Sequence, residues 1–143
     1  MAPTSDVEMK ISPAPKAPAP MIPVAWGELF DKITILEIKN RQIASPDAAR
    51  HVAEELAQLR AIAAPFHAKN EIMPLIAALK SANEALWECE DQIRRKEQQH
   101  VFDNDFIELA RSIYLTNDKR AALKRQISVA LGSILVEEKW YGD

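Results

Sequence analysis

Apolar residues recur at intervals of three and four along most of the chain after Pro23, which is the pattern of helices that bury one face. The pattern falls into four segments. No stretch alternates apolar and polar residues in the way that a half-buried strand does. We therefore predict an all-α protein, an antiparallel bundle or long hairpin of about four helices.

The first predicted helix spans about residues 25–43 and is apolar on two opposite faces, with Ile33 and Leu36 on one face and Ile35 and Ile38 on the other. A helix with this pattern is expected to lie between neighbours. A second helix begins near Ser45-Pro46, where serine can cap and proline suits the first turn. We expect it to end at Pro65.

The third and fourth predicted helices are the longest. The third spans about residues 71–99, with Pro74 in its first turn and an apolar row at the spacing of an antiparallel or coiled-coil contact. The fourth begins after a cap at Asp103 or Asn104 and could extend to about residue 138. Residues 1–22 hold five of the nine prolines, so we expect a disordered Pro/Ala-rich leader followed by a single helical domain over 23–143.

Polar residues interrupt the apolar row of the fourth helix. In one register Asn117, Arg120 and Lys124 stand between Ile113 and Ile127. In a register shifted by one position, Asn117 and Lys124 move to the flank while Arg120 stays central. The first register predicts a buried polar layer, and the second predicts a mostly apolar contact.

The third helix carries a matching polar stripe beside its apolar row, which includes Asn83, Glu90 and Arg94. In a hairpin of the third and fourth helices, Asn83 would face residues 115–121, and Glu90 and Arg94 would lie near residues 107–114. Asp31 of the first helix offers a further carboxylate. Since buried charges are costly unless they are paired, we expect these groups to meet one another, water or a ligand.

Composition narrows the classes of function. The net charge is −3 with a pI near 5.7, which argues against nucleic acid as a partner. Cys89 is the only cysteine and the three histidines lack metal-ligand spacing, so we expect no disulfide, no metal and no cofactor. No apolar run is long enough to cross a bilayer, and we expect a cytoplasmic protein without membrane insertion.

Four stretches resemble a family of small bacterial all-helical proteins of unknown function: GELFDKITILEIK, LWECEDQIRRKE, FDNDFIELARSIYLTNDKRAALKR and LVEEKWYGD. The resemblance covers about residues 23–142. Members occur near, or fused to, glycosyltransferases of surface-polysaccharide clusters, which implies a sugar-pathway context without an activity or catalytic residues. A weaker similarity to helical chorismate mutases, whose Arg- and Lys-lined site lies between long helices, is an analogy of pattern.

Two hypotheses follow for the polar residues. In the first, the protein is a non-enzymatic accessory or assembly protein with a protein partner or a second copy of itself, and the polar layer is satisfied within the chain or across a dimer. In the second, Arg94, Arg120 and Lys124 hold an anionic small molecule between helices, with Glu90 or Asp31 as acid or base.

Overall fold

The four predicted helices are present in the computed structural model, which describes residues 10–67 and 71–140. They are α1 (Trp26–Gln42), α2 (Pro46–His67), α3 (Met73–Gln98) and α4 (Asn104–Ala130). Within these described ranges the protein is all-α, with no strand. Residues 10–22 of the predicted leader are exposed and without regular secondary structure, and residues 1–9 lie outside the described part.

Helix α1 lies at the centre of the bundle and packs against each of the other three helices, as its two apolar faces predicted. The face with Leu29, Ile33 and Leu36 enters a core that also receives Leu56 of α2. Phe30 is fully buried, and Ile38 is buried on the face towards α3 and α4. Burial of one such side chain stabilises the fold by about 1.5–3 kcal/mol, so this helix organises the core.

Helices α3 and α4 form the long antiparallel hairpin that the sequence predicted, and their contact is the most extensive in the bundle. The turn between them is made by His100, which adopts a left-handed conformation, and by Asp103, whose carboxylate accepts a hydrogen bond of 3.0 Å from the Phe106 N–H. Pro74 lies in the first turn of α3, where its missing N–H costs no helical hydrogen bond.

The hairpin extends past the shared core. Of residues 71–140, those from 87 to 122 include no buried residue, whereas Leu79, Ala82 and Leu86 of α3 and Leu123 and Ile127 of α4 are buried. Cys89 and Ile93 of the apolar row on α3 are only half-buried. The outer half of the hairpin is therefore a two-helix contact with one side open to solvent.

Two helix ends differ from the prediction. Helix α2 continues through Pro65 to His67, because a proline in the last turn removes a single backbone hydrogen bond and the ring of Phe66 packs on Trp26 at 4.4 Å between centroids. Helix α4 ends at Ala130 and not near residue 138. Gly132 has a φ of +63°, and the Ser133 N–H donates to the Ser128 carbonyl at 2.8 Å, which together terminate the helix in a Schellman motif.

The chain after α4 turns back along that helix as an irregular C-terminal segment, residues 131–140. It forms three ion pairs with α4: Glu137 with Lys124 at 2.7 Å, Glu138 with Arg125, and Lys139 with Asp118 at 2.6 Å. The segment thus brings three charged side chains to α4 that a continued helix would have carried away from it.

Candidate functional site

Asp31 is the centre of the polar residues that the fold brings together. Its side chain is only 2 % exposed, because it lies on α1 in the middle of the bundle. It is held between α4 and α3. We refer to Asp31, Thr34, Asn83, Asn117 and Arg120 as the polar layer, because they lie at one level of the bundle and are joined by hydrogen bonds.

Arg120 forms the bidentate ion pair of the polar layer. Its Nε donates to Asp31 Oδ1 at 2.8 Å and its Nη2 donates to Asp31 Oδ2 at 2.6 Å. Two parallel charge-assisted hydrogen bonds give this pair both strength and a fixed orientation. The hydrogen bonds to Asp31 raise the pKa of Arg120 against the lowering effect of burial. The guanidinium is therefore a permanent cation that neutralises the buried carboxylate.

Asn83 connects α3 to the same carboxylate. Its Nδ2 donates to Asp31 Oδ1 at 3.0 Å and to the Thr34 hydroxyl oxygen at 2.9 Å. The Thr34 hydroxyl donates in turn to the Asp31 backbone carbonyl at 2.8 Å. The role of Thr34 was not predicted from the sequence, because a β-branched residue beside apolar residues in a helix resembles a member of the apolar face. Asn83 is nevertheless fixed at both of its donor positions.

Asn117 supports Arg120 from one turn earlier in α4. Its Oδ1 accepts a long hydrogen bond of 3.4 Å from Arg120 Nη1. The sequence prediction that Asn83 faces residues 115–121 therefore agrees with the geometry, since both asparagines bind the Asp31–Arg120 pair. The inward register of the fourth helix describes this level of the bundle better than the shifted register.

Lys124 lies one turn beyond Arg120 in a second group of charges. Its Nζ binds Glu28 of α1 and Glu137 of the C-terminal segment, both at 2.7 Å, and its side chain is only 11 % exposed. Burial by itself would lower the pKa of Lys124, but the hydrogen bonds to Glu137 and Glu28 outweigh that effect and raise it. The bond from Lys124 likewise lowers the pKa of Glu137. The two carboxylates were missed because neither stands in an apolar row.

Glu90 and Arg94 lie outside the polar layer. They pair with each other along one face of α3 at 3.5 Å, and the Arg94 side chain is 70 % exposed. The expectation that Arg94 lies inward is wrong, because its guanidinium extends into water. Glu90 is half-buried and lines a small cavity beside Asn117 and Arg120.

A close contact of α1 with α4 sets the position of the charges. The Gly27 N–H donates to the buried hydroxyl of Ser128 at 2.9 Å, and a Cβ on Gly27 would lie 2.0 Å from the Lys124 carbonyl oxygen. Only glycine permits this approach. Gly27 is the second residue of α1, and its role was not predicted from the sequence.

Two cavities flank Arg120. One of about 340 Å³ lies between α4 and the C-terminal segment and is lined by Tyr114, Arg120, Lys124 and Lys139 among others. The other, of about 130 Å³, lies between α1 and the hairpin beside Ile38 and Trp87. Two cations in these walls already bind a carboxylate of the same chain: Arg120 binds Asp31, and Lys124 binds Glu28.

The buried polar atoms of the polar layer all have hydrogen-bond partners within the chain. Among the side chains of residues 10–66 and 71–140, no buried nitrogen or oxygen lacks a hydrogen-bond partner. The same residues contain no group of three His, Cys, Asp or Glu side chains that could hold a metal ion. Asp31 accepts three hydrogen bonds, two of them from a cation, and these bonds fix the position of its carboxylate.

Comparison of the chain with protein-family models, curated proteins and solved structures finds no match. No helix in the described part of the chain is long and apolar enough to cross a membrane.

Proposed function

We propose that the protein is a non-enzymatic accessory or assembly protein whose α3–α4 hairpin presents a binding surface to a protein partner. The observation that carries the proposal is the contrast between two sides of α4. On the inner side, the polar layer is satisfied within the chain. On the outer side, Ile107, Tyr114 and Leu115 are each more than half exposed.

The inner side of α4 supports a structural role for the charges. An anionic ligand at Arg120 or Lys124 would compete with Asp31, Glu28 and Glu137, which already bind these cations through hydrogen bonds of 2.6–2.8 Å. Because Asp31 is buried, its displacement would leave a carboxylate without a counter-ion, at a cost of several kcal/mol. The polar layer instead fixes the register of α1, α3 and α4, since its hydrogen bonds form at one alignment of the three helices.

The outer side of α4 supports a partner surface. Single exposed apolar side chains are ordinary in soluble proteins, but a row of them on one helix face marks a contact region. The row continues towards the turn of the hairpin, where Val101 and Phe102 are exposed, and Trp140 of the C-terminal segment adds a further exposed aromatic ring. Aromatic residues of this kind are enriched in protein interfaces.

The pathway is part of the proposal. The resemblance to small helical proteins that occur near glycosyltransferases supports a role in a bacterial sugar or surface-polysaccharide pathway, in the cytoplasm, as an assembly factor rather than as a catalyst. Anionic small-molecule binding is the second candidate, and the cavity of about 340 Å³ beside Arg120, Lys124 and Lys139 is the observation that favours it.

Thermal unfolding in the presence of ligands tests the two candidates. The melting temperature should stay unchanged with a panel of small carboxylates, phosphates and nucleotide sugars, because each cation of the site is already paired. A rise in melting temperature that saturates with ligand concentration, and that Lys124→Met removes, would contradict the proposed function and support the second candidate.

A further inference from the structure

The solvent-facing side of α4 has a symmetric pattern of side chains. We call this the α4 outer face and define it by the following residues, which lie opposite the buried Leu123 and Ile127: Ile107, Arg111, Tyr114, Leu115, Asp118 and Ala122. All six are exposed. At 100° per residue they occupy one side of the helix over about four turns.

The pattern is its own complement when the helix is reversed. About the midpoint between Tyr114 and Leu115, the next pair outward is Arg111 and Asp118, which have opposite charges. The pair beyond these is Ile107 and Ala122, and both are apolar. A second α4 placed antiparallel across this midpoint would therefore set apolar residues against apolar residues and each Arg111 against an Asp118.

We infer that the α4 outer face binds a second copy of this chain, with the two α4 helices antiparallel about a two-fold axis between Tyr114 and Leu115. This inference rests on the proposed function and specifies its partner. A two-fold interface uses the same patch on both subunits, so residue pairs occur twice and the patch must complement itself. The reversal symmetry of apolar and charged positions on α4 meets that requirement, which a surface for an unrelated protein would have no reason to meet.

Existing contacts on the face are compatible with this arrangement. Arg111 pairs with Glu108 at 3.0 Å and Asp118 pairs with Lys139 at 2.6 Å, and all four side chains are exposed by about a third or more. Exposed pairs of this kind are weak because solvent screens them. Arg111 and Asp118 can each share their hydrogen bonds with the opposite charge of the second copy. Tyr114 and Leu115 would then lie at the centre of the interface, shielded from water on both sides.

Charge reversal with mixing tests the inference on the full chain. By light scattering coupled to gel filtration, the wild-type protein should have twice the monomer mass of 16.1 kDa. Arg111→Asp and Asp118→Arg should each place two like-charge contacts in the dimer and raise its dissociation constant on the order of a hundredfold, so that each runs as a monomer. An equimolar mixture of the two variants should form a heterodimer, because both contacts are attractive again.

Two further variants control the experiment. Arg50→Asp reverses the charge in a comparable exposed i,i+3 pair on α2, with Asp47 at 3.9 Å, and should leave the dimer intact. Leu115→Glu should also give a monomer, and it tests the centre of the face if either charge variant fails to fold by circular dichroism. A monomeric wild type, or a dimer that Arg111→Asp, Asp118→Arg and Leu115→Glu leave intact, would overturn the inference. Neither result would restore ligand binding at the polar layer, so the proposed function is judged separately by thermal unfolding with ligands.

Discussion

At the scale of single residues, the polar layer depends on the buried carboxylate of Asp31 and on the groups that bind it. Asp31 receives two hydrogen bonds from Arg120 and one from Asn83, so the cost of its burial is offset by a full counter-ion and a neutral donor. In such a layer, removal of one partner costs the most stability, because it leaves the other partner buried without a hydrogen bond. Asn83 therefore supports the carboxylate of Asp31 directly, and Asn117 helps to hold Arg120 in position.

Gly27→Ala tests the residue that sets the distance between α1 and α4. Alanine has the higher helix propensity by about 1 kcal/mol, so the substitution would be stabilising in open space. Here the new methyl group would overlap the Lys124 carbonyl oxygen, and we expect a net loss of about 2 kcal/mol in the free energy of unfolding, measured in urea.

Gly132→Ala is the matched control, because nothing lies within 4 Å of a methyl group there and only the left-handed φ of +63° opposes it. Its cost should be about 1 kcal/mol. A Gly27→Ala protein as stable as the wild type would show that α1 and α4 are not in backbone contact.

At the scale of elements, the C-terminal segment shows where helical periodicity misleads. The apolar residues after Ala130 continue a spacing of three and four, which predicted a helix to about residue 138. The helix instead ends at Ala130, since the left-handed conformation of Gly132 lets the following backbone N–H groups bind the last carbonyl groups. The segment then binds α4 through ion pairs, which leave no periodic signal in the sequence.

The pH dependence of this segment follows from Glu137. The hydrogen bond from Lys124 lowers the pKa of Glu137 below its ordinary value of 4.5. A carboxyl group whose pKa is lower in the folded state stabilises that state at pH values above the pKa of the unfolded state. This contribution is lost as the pH falls through the pKa of the folded state. We expect the ion pair with Lys124 to hold at neutral pH and to be lost in acid, below pH 4.5.

A carbon-detected NMR titration of the Glu137 carboxyl group measures this directly. Its midpoint should lie below 4.5 in the wild type and return towards 4.5 in Lys124→Met. A wild-type midpoint at or above 4.5 would mean that the C-terminal segment does not bind Lys124 in solution.

At the scale of the whole molecule, much of the fold followed from periodicity, and the site followed only in part. Two apolar faces on α1 correctly placed it between neighbours, and the capping and proline signals of α3 and α4 gave their starts. The inward position of Arg120 was predictable because it stays central in both registers. Glu28 and Glu137 were not, because ion pairs between distant segments depend on where a helix ends. Arg94 was wrongly placed because the side of α3 that stays open to solvent depends on tertiary packing.

The central claim is that the Asp31–Arg120 pair holds three helices in register and is not a ligand site. A double-mutant cycle of Arg120→Met and Asp31→Leu, measured as free energies of unfolding in urea, tests it most directly. Arg120→Met leaves Asp31 buried without its counter-charge and should lose about 3 kcal/mol. Asp31→Leu leaves the partly exposed Arg120 unpaired and should also destabilise the protein, by a smaller amount. The double variant should lose less than the sum, with a coupling energy of about 2 kcal/mol. Additive losses, or an Arg120→Met protein as stable as the wild type, would contradict the claim and indicate a residue kept for binding.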